Sequence, residues 1–168
     1  MLLLYFMILG LIPSRLSSKR LFQKPLVNIN GLPLIIHTLL RAKMSKKLHK
    51  VVVCTDSSKI YDLVKSYNGE AIMTSKKHKN GTERIAEVAK KFKCRLVVDI
   101  QGDEPLINPK DIDKVINFHS KNKRFDIVVP FIKAKNINNK NIVKIVNNNK
   151  NRILYMSRSN IPFPFKKK

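Results

Sequence analysis

Acidic residues are scarce in this chain, which has 11 Asp and Glu against 34 Lys and Arg in 168 residues, a formal net charge of +23. Tryptophan is absent, and the 2 cysteines and 5 glycines are too few for a disulfide-rich scaffold or a collagen-like repeat. Cys54 and Cys94 lack the spacing of metal ligands, so we expect two reduced, buried thiols.

Long apolar runs are also missing. A membrane-spanning helix takes about 20 apolar residues, and the apolar stretch at residues 1–12 is shorter than that. It has no basic residues before its apolar part and no small-residue cleavage site after it, so it does not resemble a signal peptide. We therefore expect a cytoplasmic protein without a membrane span.

The positive charge allows two interpretations. A surface for nucleic acid or for an anionic membrane would suit a net charge of +23. However, 26 of the 34 cations are Lys and only 8 are Arg, whereas Arg is the usual residue for bidentate phosphate and base-edge recognition. We favour a compositional background of Lys and Asn with no specific nucleic-acid partner, and a basic nucleic-acid-binding protein is the alternative.

What the chain does have is a regular alternation of two apolar patterns. Apolar and β-branched runs predict strands at residues 8–12, which Pro13 ends, and at 51–55, 71–73, 96–100, 127–129, 142–146 and 153–156. Helical spacing predicts four helices, which begin at Pro33, after residues 56–58, after residues 80–82 and after Asn108. This order predicts an α/β fold with a mainly parallel (mixed) sheet, helices on both faces and antiparallel pairing at its C-terminal end.

Three polar segments follow predicted strands, where ligands of open parallel sheets bind. Residues 13–24 combine cations and hydroxyls that could grip a polyphosphate, although they match no Walker pattern and could be an ordinary basic loop. Residues 99–105 gather three of the scarce acidic residues, which could hold Mg²⁺ against nucleotide phosphates or form a solvated loop.

The third polar segment, residues 74–84, leads into a helix. Its first-turn amides, around Gly81 and Thr82, could meet an anion or a base edge. We interpret His78 as a surface histidine, and Glu83 and Arg84 as residues that cap and support the helix.

Six segments, in this order, resemble the motifs of the 3-deoxy-manno-octulosonate cytidylyltransferases, the enzymes that make CMP-Kdo. They are residues 12–26, 30–33, 54–56, 78–84, 101–105 and 155–162. The fifth is the family's Gln-Gly-Asp-Glu-Pro unchanged, and the similarity extends along the chain from Met7. The resemblance implies a Rossmann-like, three-layer α/β/α nucleotidyltransferase fold, in a single domain over residues 1–168.

The resemblance also implies a role for each residue that matches a motif. The nucleotide-binding residues would be Ser14, Arg15, Ser18, Arg20 and Lys24, with Ser75, Gly81 and Thr82 on the side of the cytosine and ribose. Arg15 and Lys24 would hold the CTP phosphates and Asp103 would bind Mg²⁺, which makes these three the catalytic residues. Gln101 and Arg158 would lie on the sugar side.

The implied reaction is attack by the anomeric 2-hydroxyl of 3-deoxy-D-manno-octulosonate (Kdo), or a close analogue, on the α-phosphorus of CTP. It releases pyrophosphate and serves lipopolysaccharide biosynthesis. Such a transfer depends on positioning, charge neutralisation and metal ions. Mg²⁺ is therefore the expected cofactor, CTP and a Kdo-like sugar acid are the expected partners, and a homodimer is the expected assembly.

Three departures from the family pattern are expected to matter. The family's Pro-Gly before the catalytic lysine is Phe22-Gln23, and the serine before its Gly-Thr-Glu-Arg is Asn80. Family members also continue beyond residue 162, so we expect this chain to lack a portion with further sugar contacts, a second metal-binding Asp and most of the dimer surface. A truncated, non-catalytic nucleotide-binding remnant is therefore a second alternative.

Overall fold

The computed structural model describes residues 7–17, 21–133 and 139–162. They form two compact units, which lie within Met1–Asp126 and Ile127–Lys168. The single domain over residues 1–168 stays a prediction.

The first unit is built on a four-stranded parallel sheet. The strands of this sheet are β1 (Ile8–Ser14), β4 (Lys50–Thr55), β5 (Glu70–Met73) and β6 (Leu96–Asp99), and a separate hairpin consists of β2 (Asn28–Ile29) and β3 (Leu32–Pro33). The helices of the unit are α1 (Leu34–Lys43), α2 (Ser58–Ser66), α3 (Gly81–Ala89) and α4 (Pro109–Lys121). The order of the sheet is β5, β4, β1, β6, with Gly10 of β1 opposite Val51 of β4 and Val98 of β6. β1 is therefore a central strand, which explains its unbroken apolar run.

β1 extends to Ser14, so the prediction that Pro13 ends it is wrong. Pro13 is in register with Cys54 of β4, whereas β6 pairs only as far as Leu11. Pro13 thus lies where β1 has one ladder partner, and its missing N–H is tolerated there. The extension brings Ser14 to the carboxyl edge of the sheet.

Helices cover both faces of the sheet. Ile8 and Ile12 of β1 belong to a core with α1, α2 and α4, whereas Leu9 and Leu11 belong to a second core with α3. Successive strand residues point to opposite faces, which separates these two cores. The arrangement confirms the predicted three-layer α/β/α fold.

A two-residue turn joins β2 and β3 just before α1. Asn30 and Gly31 have φ angles of 48° and 88°, and both must be positive in the type I′ turn that suits a tight hairpin. Pro33 pairs with Asn28 in this hairpin. It therefore ends β3 instead of starting the helix, and α1 begins one residue later than predicted, at Leu34.

The other three helices begin at side-chain caps. Ser57, Asn80 and Asn108 each accept a hydrogen bond from an amide of the first turn of α2, α3 and α4. Asn is as good a cap as Ser, so the family's serine at position 80 is replaced without loss of the cap. Within the described ranges, no helix combines the length and the apolar character that crossing a membrane requires.

The two cysteines differ in their surroundings. Cys54 is fully buried in β4, and burial raises the pKa of its thiol to about 12. Cys94 is only partly buried, and its burial also raises its thiol pKa. Both thiols are free. The expectation of buried, reduced thiols is therefore correct for Cys54, whereas the expected burial of Cys94 is wrong.

The second unit contains an antiparallel pair, β7 (Lys144–Asn147) and β8 (Ile153–Ser157). This confirms the antiparallel pairing at the C-terminal end, in a two-stranded sheet of its own. Residues 127–129, predicted as a strand, form none. Ile127 is 80% exposed, and β propensity does not make a strand where a run has no partner to pair and pack with.

Candidate functional site

The candidate site lies at the carboxyl edge of the parallel sheet. Among the loops that leave this edge are the β1 loop (residues 15–23, described at 15–17 and 21–23), the β5 loop (residues 74–80) and the β6 loop (residues 100–107). They overlap the three polar segments that the sequence singles out. Because all the strands of this sheet run in one direction, their loops leave at one edge, as ligand sites of open α/β sheets require.

An ion pair joins the end of the β1 loop to the β6 loop. Lys24 Nζ lies 2.5 Å from Asp103 Oδ2, and both side chains are partly exposed to solvent. The residue proposed to hold phosphate and the residue proposed to hold a metal ion are therefore adjacent in space, although 79 positions separate them in the chain. The sequence predicts both residues but not their direct contact.

The backbone before Lys24 keeps a shape suited to glycine. Gln23 adopts φ 48° and ψ 37°, in the left-handed region, and caps the short 3-10 turn Lys24–Leu26. The family pattern has glycine at this position, and glycine adopts this region without steric cost. The departure at Gln23 therefore changes the residue without removing the left-handed turn.

The β6 loop packs closely on the end of β1. A Cβ on Gly102 would lie 2.6 Å from the carbonyl oxygen of Pro13, which is too close for any other residue without a backbone shift. Thr38 of α1 donates a hydrogen bond to the Gly102 carbonyl at 3.4 Å. Gly102 thus places Asp103 beside the end of β1.

Ser14 ends β1 at the centre of this edge. It is 7% exposed, and its Oγ is the one buried side-chain oxygen or nitrogen in the described part of the chain that has no hydrogen-bond partner. Buried polar atoms are nearly always paired. An unpaired hydroxyl beside two loops with charged residues is suited to a polar ligand.

The N-terminus of α3 approaches the same point from the other side. A Cβ on Gly81 would lie 3.2 Å from the ring of Pro13, so the first turn of α3 packs against β1 next to Ser14. Thr82 is exposed in that turn. Free amides and the helix dipole make such a terminus attractive to an anion.

Arg84 does more than support its helix. Its guanidinium is buried and donates hydrogen bonds to Asp56 Oδ2, at 2.7 Å, and to Thr74 Oγ1. These contacts join α3 to the ends of β4 and β5. Glu83 caps α3 as expected, because its carboxylate accepts from the amide of Lys79 at 2.8 Å.

The other predicted residues differ in what they contact. Gln101 Nε2 donates to Asp99 Oδ1 at 3.0 Å, and burial raises the pKa of the Asp99 carboxyl although this bond lowers it. Arg158 lies in the second unit, where it donates to the Asn141 carbonyl at 2.9 Å. Arg15 is exposed directly after β1. Ser18 and Arg20 lie outside the described residues.

Asp103 suits a metal ion that arrives with phosphates. Across the ranges that the structure describes, no three His, Cys, Asp or Glu residues form a group that could hold a metal. Mg²⁺ is commonly held by one or two carboxylates together with substrate phosphates. One accessible carboxylate beside Lys24 fits that arrangement better than a preformed metal cage.

Sequence reasoning missed Glu87. This residue of α3 accepts a hydrogen bond from the Ser75 amide at 2.9 Å, and its Oε2 lies 2.6 Å from His78 Nε2. These two bonds lower the pKa of the Glu87 carboxyl, the Ser75 amide having the larger effect. The one signal for Glu87 in the sequence is its position one turn after Glu83, on the helix that follows the β5 loop.

Comparison with known proteins agrees with the motifs. A family model described as Cytidylyltransferase matches residues 9–168. The 3-deoxy-manno-octulosonate cytidylyltransferase of Leptospira biflexa is 42% identical over 163 residues, which are 95% of this chain and 66% of that protein. The protein of the same name from Polynucleobacter necessarius is 45% identical over 161 residues, which are 92% of this chain and 63% of that protein.

Solved structures show the same relation. CMP:2-keto-3-deoxy-manno-octonic acid synthetase complexed with CTP is 34% identical, with a TM-score of 0.83, over 95% of this chain and 67% of that chain. A 4-diphosphocytidyl-2C-methyl-D-erythritol synthase from Anaerococcus prevotii is 16% identical with a TM-score of 0.59, over 91% of this chain and 64% of that chain, and shows likeness of fold alone. The chain spans less than two thirds of the length of the curated relatives named above.

Proposed function

The chain belongs to the cytidylyltransferase family, and from this premise we propose that it transfers CMP from CTP to Kdo or a close analogue. The products would be CMP-Kdo and pyrophosphate. The names of the relatives, and the similar structure being a complex with CTP, support this substrate pair. The role in lipopolysaccharide biosynthesis and the cytoplasmic location are part of the same proposal, and the free thiols suit a reducing compartment.

The observation that carries the proposal is the contact between Lys24 and Asp103, at 2.5 Å. Each is a residue to which the family motifs give a role with the triphosphate, and they come from loops of two different strands. A lysine ammonium next to a carboxylate can exchange that carboxylate for phosphate oxygens. The released carboxylate of Asp103 is then the group that would hold Mg²⁺, which neutralises phosphate charge when bound.

The transfer exchanges one bond to the α-phosphorus for another and releases the proton of the attacking hydroxyl to solvent. The anomeric 2-hydroxyl oxygen of the sugar acid bonds to the α-phosphorus, while the bond from that phosphorus to the bridging oxygen of the pyrophosphate breaks. Charge grows on the leaving pyrophosphate, so cations near it lower the barrier. We assign this neutralisation to Arg15 and Lys24, and the hydroxyl of Ser14 to a phosphate oxygen.

The nucleoside would lie towards the β5 loop and α3. The proposed contacts are Ser75 in that loop and Gly81 and Thr82 at the start of α3, where Gly81 approaches Pro13 of β1. We propose Gln101 and Arg158 for the sugar acid. The homodimer stays an expectation from the resemblance.

The test is product formation from CTP, Kdo and Mg²⁺, with pyrophosphate and CMP-Kdo both measured. We expect product from the wild-type chain and a loss of about 100-fold or more in Asp103→Asn, as for other groups that stabilise transition-state charge. Asp111→Asn is the matched control, because Asp111 also pairs with a lysine, Lys114, at 2.8 Å but on the exposed side of α4.

The other possible results of these measurements distinguish the proposed function from its alternatives. Equal activity in Asp103→Asn and Asp111→Asn would contradict the role of Asp103. CTP binding without product would support the non-catalytic nucleotide-binding alternative. Failure to bind CTP would overturn the proposed function. Retardation of DNA or RNA in a gel at physiological salt would support the nucleic-acid alternative.

A further inference from the structure

The β5 loop cannot be held by apolar packing. Its six residues from Ser75 to Asn80 are all polar, three of them are lysines, and all but His78 are exposed. An open depression of about 400 Å³ lies beside it, lined by His78, Glu83, Ala86, Glu87 and Lys90. Something other than a core must therefore give this loop a single conformation.

Side chains from the first two turns of α3 supply that restraint at both ends of the loop. At its start, buried Arg84 bonds to Thr74, whose amide donates to the Thr55 carbonyl of β4 at 2.8 Å. At its end, Glu83 accepts from the Lys79 amide at 2.8 Å and from Asn80 Nδ2 at 3.0 Å. The helix thus fixes where the loop leaves the sheet and where it enters α3.

Glu87 restrains the part between these ends. One carboxylate oxygen, Oε2, accepts from the Ser75 amide at 2.9 Å and lies 2.6 Å from His78 Nε2. The Glu87 side chain is 30% exposed and that of His78 is 19% exposed, so both are partly shielded from water. Among the residues that the structure describes, the other ionic partner of Glu87 is Lys91, at 3.9 Å and half-exposed, which is too distant to explain its orientation.

We propose that Glu87 is a positioning residue, which holds Ser75 and the β5 loop in the conformation that receives the cytidine of CTP. This role rests on the proposed function, since it concerns the same site. Glu87 acts through the backbone amide of Ser75 and through His78. Without its carboxylate, the Ser75 amide and His78 lose their shared acceptor, and the loop samples other conformations.

The test compares Glu87→Ala, Glu87→Gln and Glu70→Ala in two measurements. The first is CTP affinity by calorimetry in the presence of Mg²⁺, and the second is hydrogen exchange of the Ser75 amide without nucleotide. Glu70→Ala is the matched control, because Glu70 also has a close basic partner, Lys50 at 2.7 Å, but at the opposite end of β5. Melting temperatures are recorded for all three variants.

We expect Glu87→Ala to weaken CTP binding about tenfold or more, as misplacement of binding groups does, and to speed exchange at Ser75. Its melting temperature should fall no further than that of Glu70→Ala. Glu87→Gln should restore most of the affinity, because its amide oxygen can still accept from Ser75. This rescue separates positioning from a general loss of stability.

Three results would overturn the role, and they are distinguishable. If the wild type binds CTP and Glu87→Ala binds it equally well, the role of Glu87 is wrong and the proposed function stands. If the wild type does not bind CTP, both are wrong, whatever the exchange at Ser75. A common loss of affinity and melting temperature in Glu87→Ala and Glu70→Ala would also overturn it, since it would reflect stability alone.

Discussion

The two units of the chain are stabilised in different ways. The first has two apolar cores, one on each face of its sheet, and it contains all 11 acidic residues, since none follows Asp126. In the described part of the second unit, the one buried residue is Lys144. Its ammonium donates to the carbonyls of Asn139, Ile142 and Arg158, at 2.9, 3.2 and 2.6 Å. The first unit therefore depends on apolar burial, and the second on a strand ladder and one charged donor.

The two units also differ in how their charged side chains are used. The first unit can use its few carboxylates for ion pairs and caps at the site edge, because its cores hold the sheet without them. The second unit has no carboxylate to pair with its lysines and exposes apolar side chains, such as Ile132 at 90% and Leu154 at 64%. Regions with little buried apolar area open locally at low free energy, so the hairpin should open before the sheet.

The largest effect is expected in the apolar cores. Leu39→Ala, at a fully buried position of α1, should lower the free energy of unfolding of the first unit by about 2–5 kcal/mol. Denaturant unfolding measures it. Leu154→Ala, at an exposed position of the hairpin, is the control. It should change the free energy of unfolding by less than about 0.5 kcal/mol. Equal losses would show that the two units do not differ in this way.

A smaller and local effect is expected at Lys144. Lys144→Met keeps the length of the side chain but leaves three carbonyls without their donor, which should destabilise the hairpin by about 1–3 kcal/mol. Hydrogen exchange of the β7 and β8 amides should quicken, while the amides of β1 keep their protection. Unchanged exchange in the hairpin would contradict the role given to this lysine. Lys150→Met, in the exposed turn between the strands, is the control.

Gln23 offers a change of opposite sign. Gln23→Gly should raise the free energy of unfolding by up to about 1 kcal/mol. The left-handed conformation at φ 48° costs an L-residue about 1–2 kcal/mol, and glycine avoids this cost. Part of the gain is offset, because glycine loses more backbone entropy on folding. A melting curve measures this gain. A lower melting temperature would show that Gln23 makes a compensating contact.

The smallest effect concerns pH and Asp99. Burial raises the pKa of this carboxyl above its usual 3.8, so folding favours its protonated form, and the wild type loses stability as pH rises from 3.8 through the raised pKa. Asp99→Asn removes that loss. The variant should melt above the wild type at pH 7, and the difference should disappear at pH 3. A difference independent of pH would contradict this origin.

The pKa of Glu87 is shifted in the opposite direction to that of Asp99. Its lowered pKa means that its contribution to stability is present above the usual value of 4.5 and is lost as pH falls through the lowered pKa. The melting difference between wild type and Glu87→Gln should therefore shrink as the pH falls from 4.5 through the lowered pKa. A difference that stays constant to low pH would show that the Glu87 charge contributes nothing.

Local patterns predicted the fold well and the contacts poorly. The apolar run of β1 and the caps at Ser57 and Asn108 follow from neighbouring residues, and the structure has them. The extension past Pro13 and the absence of a strand at 127–129 depend on which strand lies alongside, which no local pattern states. For the same reason, the sequence indicated the buried run of β4 but not the place of its neighbours in the sheet.

The candidate site divides in the same way. Lys24 and Asp103 come from motifs that can be read in the sequence, but their contact joins positions 79 residues apart. The sequence predicts that Arg84 supports its own helix, whereas its partners Asp56 and Thr74 follow β4 and β5. Glu87 has no motif signal of its own, because its role depends on a loop that folds back onto its helix.

The central claim is that the edge formed by β1 and its neighbours binds CTP through Lys24. The most direct measurement is a calorimetric titration of the chain with CTP and Mg²⁺, repeated on Lys24→Ala and on Lys50→Ala, a control whose lysine pairs with Glu70 instead. We predict saturable binding that weakens about tenfold or more in Lys24→Ala, as for loss of a charge-assisted hydrogen bond, and is kept in Lys50→Ala. No binding by the wild type, or equal affinities in all three proteins, would contradict the claim.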